Sequence, residues 1–171
     1  SRVYKRNCWI VFIFAALENY TLMQLSEQER VRRDKLATLR EMGINPYPAA
    51  QFDYTHTSKQ VKENFNEGEK VVVAGRLVSR RIQGKASFAE LQDGEGRIQV
   101  YFNRDEICTG EDKTLYNEVY KKLLDIGDFI GIEGELFTTQ VGEKTIKVLD
   151  FQLLSKSLKP LPLPKKDREG K

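Results

Sequence analysis

Two alternating segments joined by a tight turn constrain this chain more than any other feature. Lys85 to Gln92 and Arg97 to Asn103 flank Asp93-Gly94-Glu95-Gly96. Period-two alternation on both sides of an Asp-Gly turn predicts a β-hairpin. Ser87, Ala89 and Leu91 share one face of the first strand, and Phe88, Glu90 and Gln92 share the other. On the second strand Ile98, Val100 and Phe102 form the apolar face, which leaves Arg97, Gln99 and Tyr101 opposite. With a four-residue loop, Phe88 lies across from Tyr101 and Glu90 across from Gln99. Aromatic rings set among amides and arginines offer unstacked bases a platform.

The surrounding pattern places this hairpin in a larger sheet. Lys70 to Ile82 reads as a preceding strand, and Gly75 inside it marks a bend or bulge of the kind that closes small barrels. Thr114 to Leu124 switches to helical spacing through Leu115, Val119 and Leu123. Asp128 to Thr138 and Lys144 to Leu153 supply two more strands. Three strands, a helix and two strands is the order of the OB-fold, a partly open five-stranded barrel that binds oligonucleotides on strands two and three and on the loops joining strands one to two and four to five. Those loops are residues 82–85 and 139–143, and their flanks bring Arg80, Arg81, Lys85 and Glu143 toward the Phe88 face. The expected class is mainly β with some helix.

Upstream, Ser26-Glu27-Gln28-Glu29 has the form of a capping box and opens a mostly polar helix that ends near Gly43. Val31, Leu36, Leu39 and Met42 form its thin apolar stripe. Asn45-Pro46-Tyr47-Pro48 breaks the helix, and residues 57–65 form a second short one, with His56 a surface or capping residue. Residues 1–22 combine a basic start with the apolar run Cys8 to Leu17, too short to span a bilayer. They read as an atypical leader or a gene-boundary artefact, with a secretory signal peptide as the alternative that the basic and apolar order offers. The expected division is residues 1–22, a helical extension over 23–66, the barrel over 67–156, and an extended proline-rich linker over 157–171.

Charge and cysteine usage narrow the classes. The net charge of +3 is mild, but residues 76–104 hold six basic against three acidic side chains. Two distant cysteines and one histidine have no metal-ligand spacing and no disulfide framework. That composition fits a reducing, cytoplasmic setting.

The ordered set Ala74-Gly75-Arg76-Leu77-Val78-Ser79-Arg80-Arg81-Ile82-Gln83, the hairpin through Tyr101, Leu124-Asp125-Ile126-Gly127-Asp128 and Lys156-Ser157-Leu158-Lys159-Pro160-Leu161-Pro162 resembles the N-terminal anticodon-binding domain of class II lysyl-tRNA synthetases of bacterial type. Arg33 to Arg40 and Gly43 to Pro48 fit the same pattern, so the resemblance runs from about Leu25 to Pro164. It implies that Phe88 stacks on the central uracil of the lysine anticodon, that Gln99 and Arg80 hydrogen-bond that base, and that Glu143 contacts the wobble base. Arg81, Lys85 and Arg97 are then expected on tRNA phosphates. It also implies a homodimeric full-length ligase whose ATP and Mg²⁺ belong to a catalytic domain absent from this sequence, so that this chain alone is expected to be inactive. No catalytic residue, metal site or membrane partner is expected within it.

Other readings of the same residues are an aspartyl- or asparaginyl-type anticodon domain, a generic single-strand-binding OB protein, and a purely structural module. In the last of these Phe88 is a core or dimer-contact ring.

Overall fold

In the computed structural model of the protein, which describes residues 25–48 and 51–162, the strands form a closed barrel in the order β1-β2-β3-β5-β4. The strands are β1 (Lys70–Gln83), β2 (Ala86–Gln92), β3 (Arg97–Asn103), β4 (Phe129–Thr138) and β5 (Lys144–Ser155). All neighbours are antiparallel except β3 and β5. That parallel seam runs from Gln99 opposite Thr145 to Phe102 opposite Val148 and shuts the wall that the OB-fold expectation left partly open.

Alternation does the sorting. Val71, Val73 and Leu77, then Ala89 and Leu91, then Ile98, Val100 and Phe102 point inward, as do Ile130, Ile132, Leu136, Ile146 and Val148. Burying each of the larger chains contributes about 1.5–3 kcal/mol. The predicted hairpin register is observed, with Phe88 opposite Tyr101 and Glu90 opposite Gln99.

Among the described residues four helical segments attach to the barrel: α1 (Glu27–Glu41), α2 (Ser58–Glu63), α3 (Arg104–Ile107) and α4 (Leu115–Leu123). The capping box at Ser26 forms, and Gly43 follows the C-terminus of α1 at φ 77°. Leu36 and Leu39 of the expected stripe are buried, whereas Val31 and Met42 remain exposed. Helix α2 has its own capping box at Thr57 and seats Val61 in the core. The single turn α3 went unpredicted. It is capped by the Asn103 side chain accepting from the Asp105 N–H. Helix α4 is wound wider than an α-helix, with i→i+5 bonding. Its Tyr116 and Tyr120 rings stack on each other at 5.3 Å, and Tyr120 stacks on Phe102 at 4.1 Å. The apolar run Cys8 to Leu17 and the end of the proline-rich linker lie outside the described residues.

The bulge in β1 is displaced from the position expected. Gly75 keeps its ladder partner Ile130, and its missing side chain admits the end of β2, since a Cβ there would stand 3.0 Å from the Gln92 carbonyl oxygen. The extra residue is Val78: Leu77 opposes Leu91, but Ser79 opposes Glu90. It falls where β1 leaves β4, whose pairing stops at Arg76 and Phe129. There Leu77 turns its backbone to the α4–β4 junction, accepting from the Gly127 N–H at 2.7 Å and donating to the Asp128 carbonyl at 2.8 Å.

That junction carries a buried charge network. The Lys156 ammonium, without solvent exposure, donates to Asp128 at 2.8 Å and to Asp125 at 2.6 Å. Lys35 of α1 donates to the other oxygen of Asp125. Arg32, which reads in the sequence as part of a solvated helix face, is buried and donates to the carbonyls of Ser157 and Ile126. Removing one member of a buried pair leaves an uncompensated charge and costs about 3–5 kcal/mol. Lys156→Met is expected to lower the unfolding free energy by that amount in urea titration. Burial pushes the Asp125 carboxyl up, but hydrogen bonds from Lys156 and Lys35 outweigh it and hold the group below its ordinary 3.8. A depressed native pKa stabilises above the unfolded value and is lost as pH falls through the native one. The thermal midpoint should therefore decline as pH drops below about 4, and less steeply in Lys156→Met.

Candidate nucleic-acid interface

The outer face of β1, β2 and β3 meets the β4–β5 loop around a shallow depression of about 350 Å³ lined by Ser79, Arg81, Phe88, Glu90, Gln99 and Glu143, among others. The strands position these groups through register: Arg81 opposes Phe88, Phe88 opposes Tyr101, and Ser79, Glu90 and Gln99 lie abreast in the next row. Phe88 is half-buried. Its ring centroid lies 5.0 Å from that of Tyr101 at a tilt of 49°, and Tyr101 in turn meets Phe137 edge-on at 5.9 Å. One flank of Phe88 is thus supported and the ring still lines the depression.

The loop at residues 139–143 is internally tied. Thr139 donates its N–H to the Glu143 carbonyl at 3.0 Å and accepts from the Glu143 N–H on its hydroxyl at 3.0 Å, and the Gly142 N–H donates to the Thr139 carbonyl at 2.8 Å. The backbone of Glu143 is therefore fixed beside Gln99, while its side chain is exposed. Gln99 donates an amide hydrogen to the Thr145 hydroxyl at 2.8 Å. Glu90, Gln99 and Glu143 contribute acceptors to the depression, and Arg81 contributes donors.

Phe88, Gln99 and Glu143 come together as sequence reasoning placed them; Arg80 does not join them. The bulge at Val78 reverses the alternation, so Arg80 opposes Ala89 of the core face and Arg81 opposes Phe88. Arg80 reaches the C-terminal end of α4 instead, donating to the Tyr120 carbonyl and, at 3.1 Å, to the Leu124 carbonyl. Its guanidinium also lies 5.4 Å from the Tyr120 ring centre. Cations at a helix C-terminus satisfy orphan carbonyls and oppose the helix dipole. Ser79, absent from the sequence-based site, follows from the same shift of register, and it lies beside Glu90, which alternation in β2 had already set on the Phe88 face.

Of the residues expected on phosphates, Arg81 has no carboxylate within ion-pair distance among the described residues. Lys85 pairs with Asp105 at 3.2 Å, whose carboxyl is held at about 2 by hydrogen bonds from Arg104 and Lys85. Arg97 hydrogen-bonds Gln92 and lies away from Phe88, in a second groove with Arg76, Phe129 and Leu161. Among the described residues no group of three or more His, Cys, Asp or Glu side chains is placed to hold a metal ion, and no helix is long and apolar enough to cross a membrane.

The two adjacent arginines should separate in a stability assay. Hydrogen bonds from a charged donor are worth about 1.5–3 kcal/mol, so Arg80→Ala is expected to destabilise the fold by that order. Arg81→Ala, on the outer face, should stay within about 0.5 kcal/mol of the parent. Equal losses in chemical denaturation would contradict the assignment of the bulge.

Comparison with known proteins supplies the context. The OB-fold nucleic acid binding domain family matches residues 71–154, the barrel from β1 to β5. A lysine–tRNA ligase of Christiangramia forsetii is 73% identical over 153 residues, covering 90% of this chain and 27% of that protein. One from Porphyromonas gingivalis is 54% identical over 154 residues, or 87% of this chain and 26% of that protein. One from Thermoanaerobacter sp. strain X514 is 51% identical over 142 residues, or 81% and 27%. The chain spans about a quarter of the length of these curated relatives. Identity of this degree over 81–90% of the chain, with the barrel matched by the OB-fold family, places the chain in the lysine–tRNA ligase family, as that family's OB-fold anticodon-binding domain.

Proposed function

We propose that this domain recognises the anticodon loop of a lysine tRNA, and so directs ATP- and Mg²⁺-dependent aminoacylation carried out by the remainder of a homodimeric, cytoplasmic ligase. The observation that supports this most directly is the convergence of one supported aromatic ring, one oriented amide and one loop carboxylate on a single depression of the barrel wall.

The roles divide by physics. Phe88 supplies stacking, worth about 1–3 kcal/mol per base and nearly blind to base identity. Identity has to come from groups matched to the edge of the base. Uracil presents two carbonyls flanking one N–H, which an amide and a guanidinium complement. Gln99 and Arg81 are assigned that task, and Glu143 is assigned to the neighbouring wobble base. Arg80, held on α4, is assigned the supporting role of fixing the end of β1 from which Arg81 projects. Lys85 and Arg97 are assigned to phosphates, a contribution that weakens as salt rises.

Fluorescence anisotropy with a labelled lysine anticodon stem-loop tests this reading. The parent chain should bind it more tightly than an unrelated stem-loop, and Phe88→Ala should lose about 1–3 kcal/mol of affinity while keeping a near-parental thermal midpoint. Equal affinity for both stem-loops would favour a generic single-strand binder. A collapse of the midpoint in Phe88→Ala would make the ring a core residue.

A further inference from the structure

We infer that the Thr145 hydroxyl is a positioning group that fixes which end of the Gln99 amide faces the base, and thereby sets discrimination between uracil and cytosine. The inference rests on the anticodon reading above and deepens it.

Thr145 stands opposite Gln99 at the parallel seam of the barrel. It shares the outward register of Phe137, yet its exposure is 0%, so no water competes for its hydroxyl. A hydroxyl carries a single hydrogen. Here that hydrogen is donated to the Glu143 carbonyl at 3.2 Å. The side of the oxygen turned to Gln99 is therefore a lone pair, and only the NH₂ end of the amide can satisfy it, as the 2.8 Å contact shows. The amide carbonyl is left to face the other way, toward the depression.

A fixed carbonyl reads a donor. The N3–H of uracil meets it; the bare N3 of cytosine sets one lone pair against another. Cytosine would be accommodated if the amide turned over and presented its NH₂ group. In this structure that turn places the Gln99 carbonyl against the Thr145 oxygen. Relief then requires the hydroxyl to swing away from Glu143 and give up the hydrogen bond at the root of the 139–143 loop. One buried hydroxyl thus holds together the amide that reads one base and the loop that carries Glu143.

Thr145→Val keeps the β-branched shape of a barrel residue and removes the hydroxyl. Binding of this variant is compared with the parent on the UUU anticodon stem-loop and on the same loop with cytosine at the centre. The uracil-to-cytosine affinity ratio is expected to fall by about 3- to 10-fold, as the loss of one net hydrogen bond allows, chiefly through tighter cytosine binding. Thr145→Ser should restore the parental ratio. A Thr145→Val ratio equal to that of the parent would overturn the inference and leave the anticodon reading intact. A parent that itself fails to discriminate would overturn both. Independently of any variant, one side-chain amide hydrogen of Gln99 should exchange slowly in the free protein while its partner exchanges at the solvent rate. Two fast hydrogens would again overturn it.

Discussion

A single ammonium group without solvent exposure anchors much of this architecture. Lys156 joins Asp125 and Asp128, and those carboxylates also collect Lys35 and the backbone N–H of Ser157. Three distant stretches of sequence meet there: the first long helix, the turn after α4, and the exit from β5. The desolvation of so many charges leaves little net stabilisation relative to an apolar cluster of the same volume. What the network supplies is connection, since its hydrogen bonds tie the helix, the turn and the strand exit to one another. From the turn so fixed, backbone bonds reach Leu77, and beside Leu77 the first strand bulges. The bulge turns Arg80 toward the end of α4 and Arg81 toward the aromatic face. A continuous chain of contacts thus links the buried ion pair to the bulge that sets which cation stands beside Phe88.

The base-binding wall has a related economy. Its inner surface is the apolar core, so every outward residue is carried on a strand that the core has already immobilised. Phe88 gains support from Tyr101, and Tyr101 from Phe137, which limits the ordering that a base would have to induce. Sites carried on strands hold their geometry more tightly than sites carried on free loops. The one loop involved is closed on itself by Thr139.

Much of this was legible in the sequence, for identifiable reasons. The hairpin register followed from strict alternation and a four-residue Asp-Gly turn, and it placed Phe88, Tyr101, Glu90 and Gln99 correctly in their rows. The strand order followed from where period two gave way to helical spacing. The bulge was not legible: Val78 and Ser79 carry none of the glycine or proline signals that betray irregularity, and Gly75, which does, is regular. The two adjacent arginines therefore read as two cations beside Phe88, with Arg80 on the base by resemblance, whereas the shift of phase at Val78 leaves Arg81 there and turns Arg80 away. Nor do Arg32 or Lys156 differ in local pattern from solvated charges. Their partners lie between 28 and 125 residues away, and such distances leave no trace in a window of a dozen residues.

The extra residue at Val78 makes the barrel's outer chemistry a matter of phase. Pairing β1 straight through, with no residue set aside at Val78, would shift the register by one, presenting Arg80 beside Phe88 and turning Arg81 to the core-facing phase. Because both positions hold the same side chain, the two phases would show a nucleic acid nearly the same charge. A doubled arginine downstream of a bulge is thus a form of tolerance: the wall can slip by one residue there without losing the cation its ligand meets.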